Sequence, residues 1–461
     1  MNNYTENYSD QFIELENVDP VNYFKKKANS EKQYQENKFK LKKMRTLIFT
    51  VLTITHLIGT TQTFAQESSQ DFKYRRSSLS MILIESESFP NKDAVMSSWN
   101  NFPFPDKYNK HDIDLKSFNI NAVQLSEKDF LDAGRVLPSE NQKYQMKIDK
   151  VMLEKKLANK LVASWFNRSS DGKFDMSLIQ ERGFYNATEM EASIAQGQIK
   201  GLASLADAGE ELLKNTFVTF TKFNFVSNEP AAAEIRYEAK EKILAALAGK
   251  PQFLIDKALS TVDRVYERTK EGYLLQSNTW LYQLNWNDSI AAIFYNELWS
   301  NPSSFDKSNL FRLEYVGVQY NQSLVTFKIA EKRTQEQIID LALVRNIDKA
   351  FAELQKDNDV FKPKVPVLTI NPITAQIGMK EGLSGKERFD VLEMVFNQKT
   401  ETTEYKKVGT ATADKNIIWD NRYNAGENTK PKVNKDGAPI TATLFKGSKT
   451  IQPGMLLKQV K

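Results

Sequence analysis

The chain of 461 residues has no cysteine and only two histidines. The first absence removes disulfides, thiolate metal sites, iron–sulfur clusters and cysteine nucleophiles. The second leaves too few imidazoles for a histidine-based zinc centre and only a single histidine, His111, beyond residue 65. Charge of one sign is also missing: 63 basic residues face 58 acidic ones, so nothing marks a nucleic-acid partner. No GxGxxG, P-loop or GxSxG motif occurs. The residues therefore nominate no cofactor and no metal. What is present is ordinary globular material, 41% apolar and 26% charged, which fits neither wholesale disorder nor a multi-span membrane protein. The length suits two or three domains of about 150 residues, and 11% aromatics suggest packed sheet rather than a coiled coil.

One segment reads as an export signal. Leu47 to Ile58 is an apolar run of about a dozen residues, short of the roughly 20 that span a bilayer. Lys38, Lys40, Lys42, Lys43 and Arg45 precede it, and Thr63 and Ala65 follow at the −3 and −1 positions of a cut before Gln66. Residues 44–65 are thus expected to be a signal peptide starting at Met44. Residues 1–43, polar and lysine-rich, would be a mis-assigned start or a disordered tail. From Gln66 onward 54 basic and 51 acidic residues remain. An exported chain without cysteine must draw its stability from a large apolar core.

Residues 66–77 read as a flexible leader and residues 78–360 as an α+β body, helices packed on a largely antiparallel sheet. Strands are expected at Ser78–Glu85, Phe174–Ile179, Thr216–Val226, Tyr273–Trp286, Ile290–Leu298, Leu310–Tyr320 and Ser323–Ala330. Asn287-Asp288 would turn a hairpin. Three- and four-residue spacing predicts helices over Tyr144–Trp165, Thr188–Leu213, Ile235–Arg268 with a break at Gly249-Lys250-Pro251, and Thr334–Leu354. Two prolines in Phe361–Pro366 mark a boundary. Residues 361–461 lose helical period and alternate short strands, at Val367–Ile370, Arg388–Val395, Thr403–Val408, Ile417–Trp419 and Thr441–Phe445, with Gly, Asn and Lys clusters, as a small all-β, barrel-like domain does.

Few side chains offer chemistry. His111 lies in the polar stretch Tyr108–Asp112 and reads as a solvated loop residue rather than a base. Glu181, Glu189 and Glu191, or Asp207, Glu210 and Glu211, contain carboxylates enough for an acid–base pair, although the last three fall on the polar face of a predicted helix. Trp280, Tyr282 and Trp286 share one alternating face, with Tyr295 and Trp299 nearby. That face is the candidate binding surface, for a sugar or a protein partner; packing under helices is its commonest alternative fate.

Two stretches carry resemblances. Glu181-Arg182-Gly183-Phe184-Tyr185-Asn186-Ala187 with Ala206 through Val218 resembles a family of exported Gram-negative envelope proteins, and its helix-then-strand unit is similar to α/β modules of the curli secretion component family. Ile377 through Leu383, Phe389-Asp390-Val391, Val408-Gly409 and Ile451 through Met455 are similar to the small C-terminal β domain of the flagellar assembly protein T family, with Gly378, Gly382, Gly385 and Pro453-Gly454 as turn formers. These likenesses imply architecture, and they carry over neither a function nor catalytic residues. The expected function is a non-enzymatic exported protein, periplasmic or peripheral to the outer membrane, that serves assembly, scaffolding or binding among other envelope proteins. A carboxylate-dependent glycan hydrolase is the alternative. A pore-forming subunit would need its insertion hairpin at Tyr273–Leu298.

Overall fold

The computed structural model describes residues 75–460 apart from 88, 133, 135–137, 186–209, 271, 326–333, 398–401, 424, 426–432 and 434–436. The expected signal peptide lies outside the described residues, as does most of the helix expected over Thr188–Leu213; its described residues 210–213 are helical. The chain divides into two compact units, residues 71–130 with 144–461, and residues 1–70 with 131–143. In the smaller unit the Ser139 N–H donates to Gln142 Oε1 at 2.8 Å, a side-chain cap at a helix start. All that follows concerns the larger one.

The body opens with β1 (Ser78–Glu85), α1 (Lys92–Asn100), β2 (Asn109–Lys110) and β3 (Ser117–Asn119). Helices α2 (Glu127–Asp132), α3 (Glu140–Glu154), α4 (Leu157–Trp165) and α5 (Ser177–Tyr185) precede β4 (Thr216–Ser227). A helical hairpin, α6 (Glu229–Ala246) and α7 (Gln252–Thr269), leads from β4 to β5 (Tyr273–Leu284). Then come α8 (Asp288–Ile293), α9 (Pro302–Lys307), β6 (Leu313–Val325) and α10 (Gln335–Asp357). The sheet order is β2-β1-β4-β5-β6. It is mixed: β1 pairs in parallel with β2, β3 and β4, whereas the long pairings β4–β5 and β5–β6 are antiparallel.

Both faces of this sheet are covered. Leu79, Leu83, Phe217, Phe223, Leu275 and Leu281 pack against Val95 and Trp99 of α1 and the apolar side of α10. On the other face Ile82, Ile84, Val218, Phe220, Trp280 and Tyr282 meet Ile148 and Met152 of α3 and Leu157 and Leu161 of α4. Thr216–Thr221 is accordingly buried at odd and even positions alike, as a strand between two helical layers is, whereas Asn224, Val226 and Ser227 at the end of β4 are exposed. α10 begins at a capping box, in which the Gln337 N–H donates to Thr334 Oγ1 and the Thr334 N–H to Gln337 Oε1. Its buried Asn346 donates to the Leu275 carbonyl at 3.1 Å and accepts from the Ser277 hydroxyl, which pins the helix to β5.

Several local expectations are corrected. The helix over Tyr144–Trp165 is two, parted at Lys156, whose φ of 52° lies in the left-handed region and redirects the chain so that α4 also reaches the sheet. Phe174–Ile179 is not a strand, because Asp175 Oδ1 accepts from the Ser177 N–H at 2.9 Å and starts α5. Ile290–Leu298 is helical too. Asn287 accepts from the Ile290 N–H and caps α8 instead of turning a hairpin, and Ile290, Phe294 and Leu298 recur at four, a helical period. That also removes the hairpin a pore-forming subunit would have used. Leu310–Tyr320 and Ser323–Ala330 merge into the single strand β6, which the structure describes as far as Val325. Ile417–Trp419 is no strand; only Trp419 bridges to Gly378.

The C-terminal part is a closed six-stranded barrel, as the sequence suggested. Its strands are β7 (Lys364–Ile370), β8 (Ile373–Ala375), β9 (Arg388–Asn397), β10 (Thr402–Ala413), β11 (Thr443–Gly447) and β12 (Leu456–Gln459), ordered β10-β11-β8-β7-β12-β9 around the wall. Val367, Ile377, Phe389, Val391, Ala411, Phe445, Ile451 and Leu457 fill it. Two glycines act by different means. Gly378 is extended, and a Cβ there would lie 2.3 Å from the Trp419 carbonyl oxygen, so it permits a close approach rather than a turn. Gly385 has φ of 98°, and a Cβ would lie 2.2 Å from Lys415 Cα. Gly385→Ala is therefore expected to destabilise the protein by about 2 kcal/mol or more. Denaturant unfolding measures it, and an unchanged midpoint would contradict the close approach.

Candidate functional site

The aromatic face does not stand open. Trp280, Tyr282 and Trp286 are at most 5% exposed. Trp280 lies against Tyr144, and the Tyr282 hydroxyl donates to Asp149 Oδ1 at 2.8 Å. Trp286, just past β5, stacks on Phe311 and belongs to an aromatic cluster with Phe166, Phe294 and Phe305, against which Tyr295 and Trp299 pack. The candidate binding surface of the sequence is thus core. The helical layer over this side of the sheet leaves none of these three rings bare for a sugar or a protein partner.

His111 is likewise not a solvated loop residue. It is fully buried, stacked on Trp165 with ring centroids 4.7 Å apart. Its Nε2 lies 3.2 Å from the Leu161 carbonyl, which can only accept, so Nε2 carries the hydrogen. Nδ1 then accepts from the Arg182 guanidinium at 3.3 Å. Burial, with Arg182 adding to it, pushes the imidazole down to about 4 and keeps it neutral. Both ring nitrogens are occupied in fastening α4 and α5 to the segment after β2.

Of the carboxylates weighed from sequence, Glu189, Glu191 and Asp207 lie outside the described residues, and Glu181 is exposed on α5. Glu211 accepts from Lys364 Nζ of β7 at 2.7 Å and from the Tyr405 hydroxyl of β10 at 2.6 Å, while Lys364 Nζ sits 3.6 Å from the centre of the Tyr405 ring. It fastens the barrel to the body.

The structure gathers a second set of charges that spacing had not singled out. Asp106 and Lys107 precede β2, Asp348 lies on α10, and Lys380 and Glu381 lie on a single helical turn after β8. Lys107 Nζ is 2.5 Å from Asp106 Oδ2, and Lys380 Nζ is 3.7 Å from Asp348 Oδ1. Buried Glu381 accepts from the Gly378 N–H at 2.8 Å and from Asn421 at 2.9 Å. Beneath them the Tyr108 hydroxyl donates to the Phe361 carbonyl and accepts from Gln355. Burial, only partly offset by Lys380 and reinforced by Glu381, pushes the Asp348 carboxyl up to about 6. A raised acid beside a second carboxylate is a pairing hydrolases use. The notch they line, however, holds only about 10 Å³, room for about one water. As it stands it admits no sugar ring, and its charges join body to barrel. Among the described residues no group of three His, Asp or Glu side chains gathers to hold a metal ion. The signal in the sequence was Asp348 itself, four residues after Val344 and three before Phe351 on the buried stripe of α10.

No protein-family model matches the chain, and no curated protein is significantly similar to it.

His111 and Asp348 make opposite contributions to acid stability. The unfolded chain binds a proton at His111 near the usual 6.5, whereas the fold resists it to about 4, so stability falls through that window. Asp348 binds its proton near 6 in the fold and near 3.8 when unfolded, so stability rises as pH falls between them. Asp348→Asn should therefore be most favourable relative to the parent near pH 7.5, an advantage that shrinks by about 3 kcal/mol toward pH 4. Denaturant unfolding at several pH values reads this difference, and a difference independent of pH would contradict the burial of a raised carboxyl.

Proposed function

We propose that this chain is an exported envelope protein that holds other proteins, as an assembly, scaffold or binding component, and is not a catalyst. The observation that carries this reading is that, among the described residues, His111, Glu211 and Asp348 are engaged in structure. The described histidine is neutral and hydrogen-bonded at both nitrogens. Glu211 is held by the barrel, and the raised Asp348 faces a notch of about one water. The basic flank, short apolar run and small-residue exit of residues 38–65 supply the export part of the proposal. The closed terminal barrel, similar in its glycine and proline turns to the flagellar assembly protein T family, supplies the accessory character. Its partners would be other envelope proteins, periplasmic or peripheral to the outer membrane.

The test is fractionation and capture from a Gram-negative host. The expected result is a chain beginning at Gln66 in the envelope fraction that retrieves a constant set of envelope proteins after in-cell cross-linking. An intact chain in the cytosol would contradict export. Purified protein that cleaves a glycan, with the activity lost in Asp348→Asn, would overturn the non-catalytic reading.

A further inference from the structure

The helical hairpin between β4 and β5 is not explained by the body it leaves. α6 and α7 are 18 residues each, about 27 Å long, and turn at Gly249-Lys250-Pro251. Ala232 is the one buried residue of α6, and α7 has none. Yet α7 is clearly amphipathic, and α6, only weakly so, still carries an aliphatic stripe. Ile255, Leu259, Val262 and Tyr266 recur at four, three and four on α7, and Ile235, Ala239 and Ile243 at four on α6, with Leu247 at its C-cap. Every one of these eight is half-buried, and none is fully covered. The two helices pack on each other, and the seam is tied by Asp263, which accepts from Arg236 at 2.6 Å and from Lys240 at 2.9 Å, with Arg236 stacked 4.7 Å over Tyr266. Two helices alone cannot bury two stripes, so a groove of aliphatic side chains runs along the arm.

We propose that this groove is covered by the same groove of a second copy, the two arms closing into a four-helix bundle. Two paired helices present a face of about 27 by 20 Å, so two such faces remove roughly 1,100 Å² in total, near the lower bound for a specific interface. Charge favours a like partner. Residues 229–270 hold eight basic and seven acidic side chains, so two arms do not repel and neither is drawn to an anionic lipid surface. An antiparallel helix pair is half of the bundle architecture, in which facing stripes interdigitate. A second copy needs no other component, so this inference stands apart from the envelope reading, and its failure would leave that reading to the capture experiment.

Sedimentation equilibrium of the purified full chain over a range of concentrations tests it. The expected mass doubles with concentration and is insensitive to salt. Ile255→Glu with Val262→Glu, seven residues apart on the groove side, should raise the dissociation constant by about 100-fold or more while circular dichroism keeps its helical signal. Phe253→Glu, 67% exposed and on the opposite side of α7, should leave it within about threefold. Should the double variant lose helicity, Val262→Ser alone should weaken association by about tenfold. A chain that is monomeric at every concentration overturns the proposal. So does a dimer as tight in the groove variants as in the parent. Binding of monomers to anionic phospholipid vesicles, lost in Val262→Ser, would assign the groove to a membrane surface and overturn it as well.

Discussion

Helix α10 is the element the rest of the structure depends on. Thirteen of its 23 residues are buried, around most of its circumference, because it packs on two bodies at once. Ile338, Leu341, Ala342 and Phe351 lie on the sheet, and Asn346 is hydrogen-bonded to β5. Its remaining side faces the barrel, where Asp348 meets Lys380 and Asp340 accepts from the Tyr423 hydroxyl. The chain then runs directly from α10 through Phe361, which stacks on Tyr108, into β7. A helix shared in this way makes sheet and barrel parts of one packed object rather than beads on a linker.

The polar groups at that junction follow from the same constraint. A surface that must be apolar toward the sheet and matched to a small barrel has few places for charge, and those it keeps are paired across the boundary: Glu211 with Lys364, Asp348 with Lys380, Asp359 with Lys458. A pair as withdrawn from water as Asp348 with Lys380 adds little net stability, since desolvation offsets most of its attraction, but it penalises wrong orientations. The shift of Asp348 toward neutral pH is the signature of that cost. The residues most suggestive of an acid–base site are thus accounted for by fastening.

Much of the architecture was legible in the sequence. The α+β body followed by a small barrel, the helix from Thr334 and the turn at Gly249-Lys250-Pro251 all emerged from period and punctuation. What failed did so for identifiable reasons. Trp280, Tyr282 and Trp286 looked like one face with an open side because alternation alone does not reveal a second helical layer. Ile290–Leu298 is short enough to fit either period, and Asn287 is equally at home in a turn and at a helix N-cap; the cap won. His111 looked solvated because its neighbours are polar, while its burial is imposed by Trp165, Leu161 and Arg182, which are 50 or more residues away. The charges of the junction come from three separate stretches, and no local pattern joins Asp106, Asp348 and Glu381.

The claim that α10 makes body and barrel a single cooperative object is tested most directly by native-state hydrogen exchange across increasing denaturant. The account predicts that amides of β5, of α10 from Leu341 to Leu354, and of barrel strands β9 and β10 converge on one opening reaction of the same free energy. Barrel amides that exchange through a separate opening of lower free energy, while β5 and α10 stay protected, would contradict it.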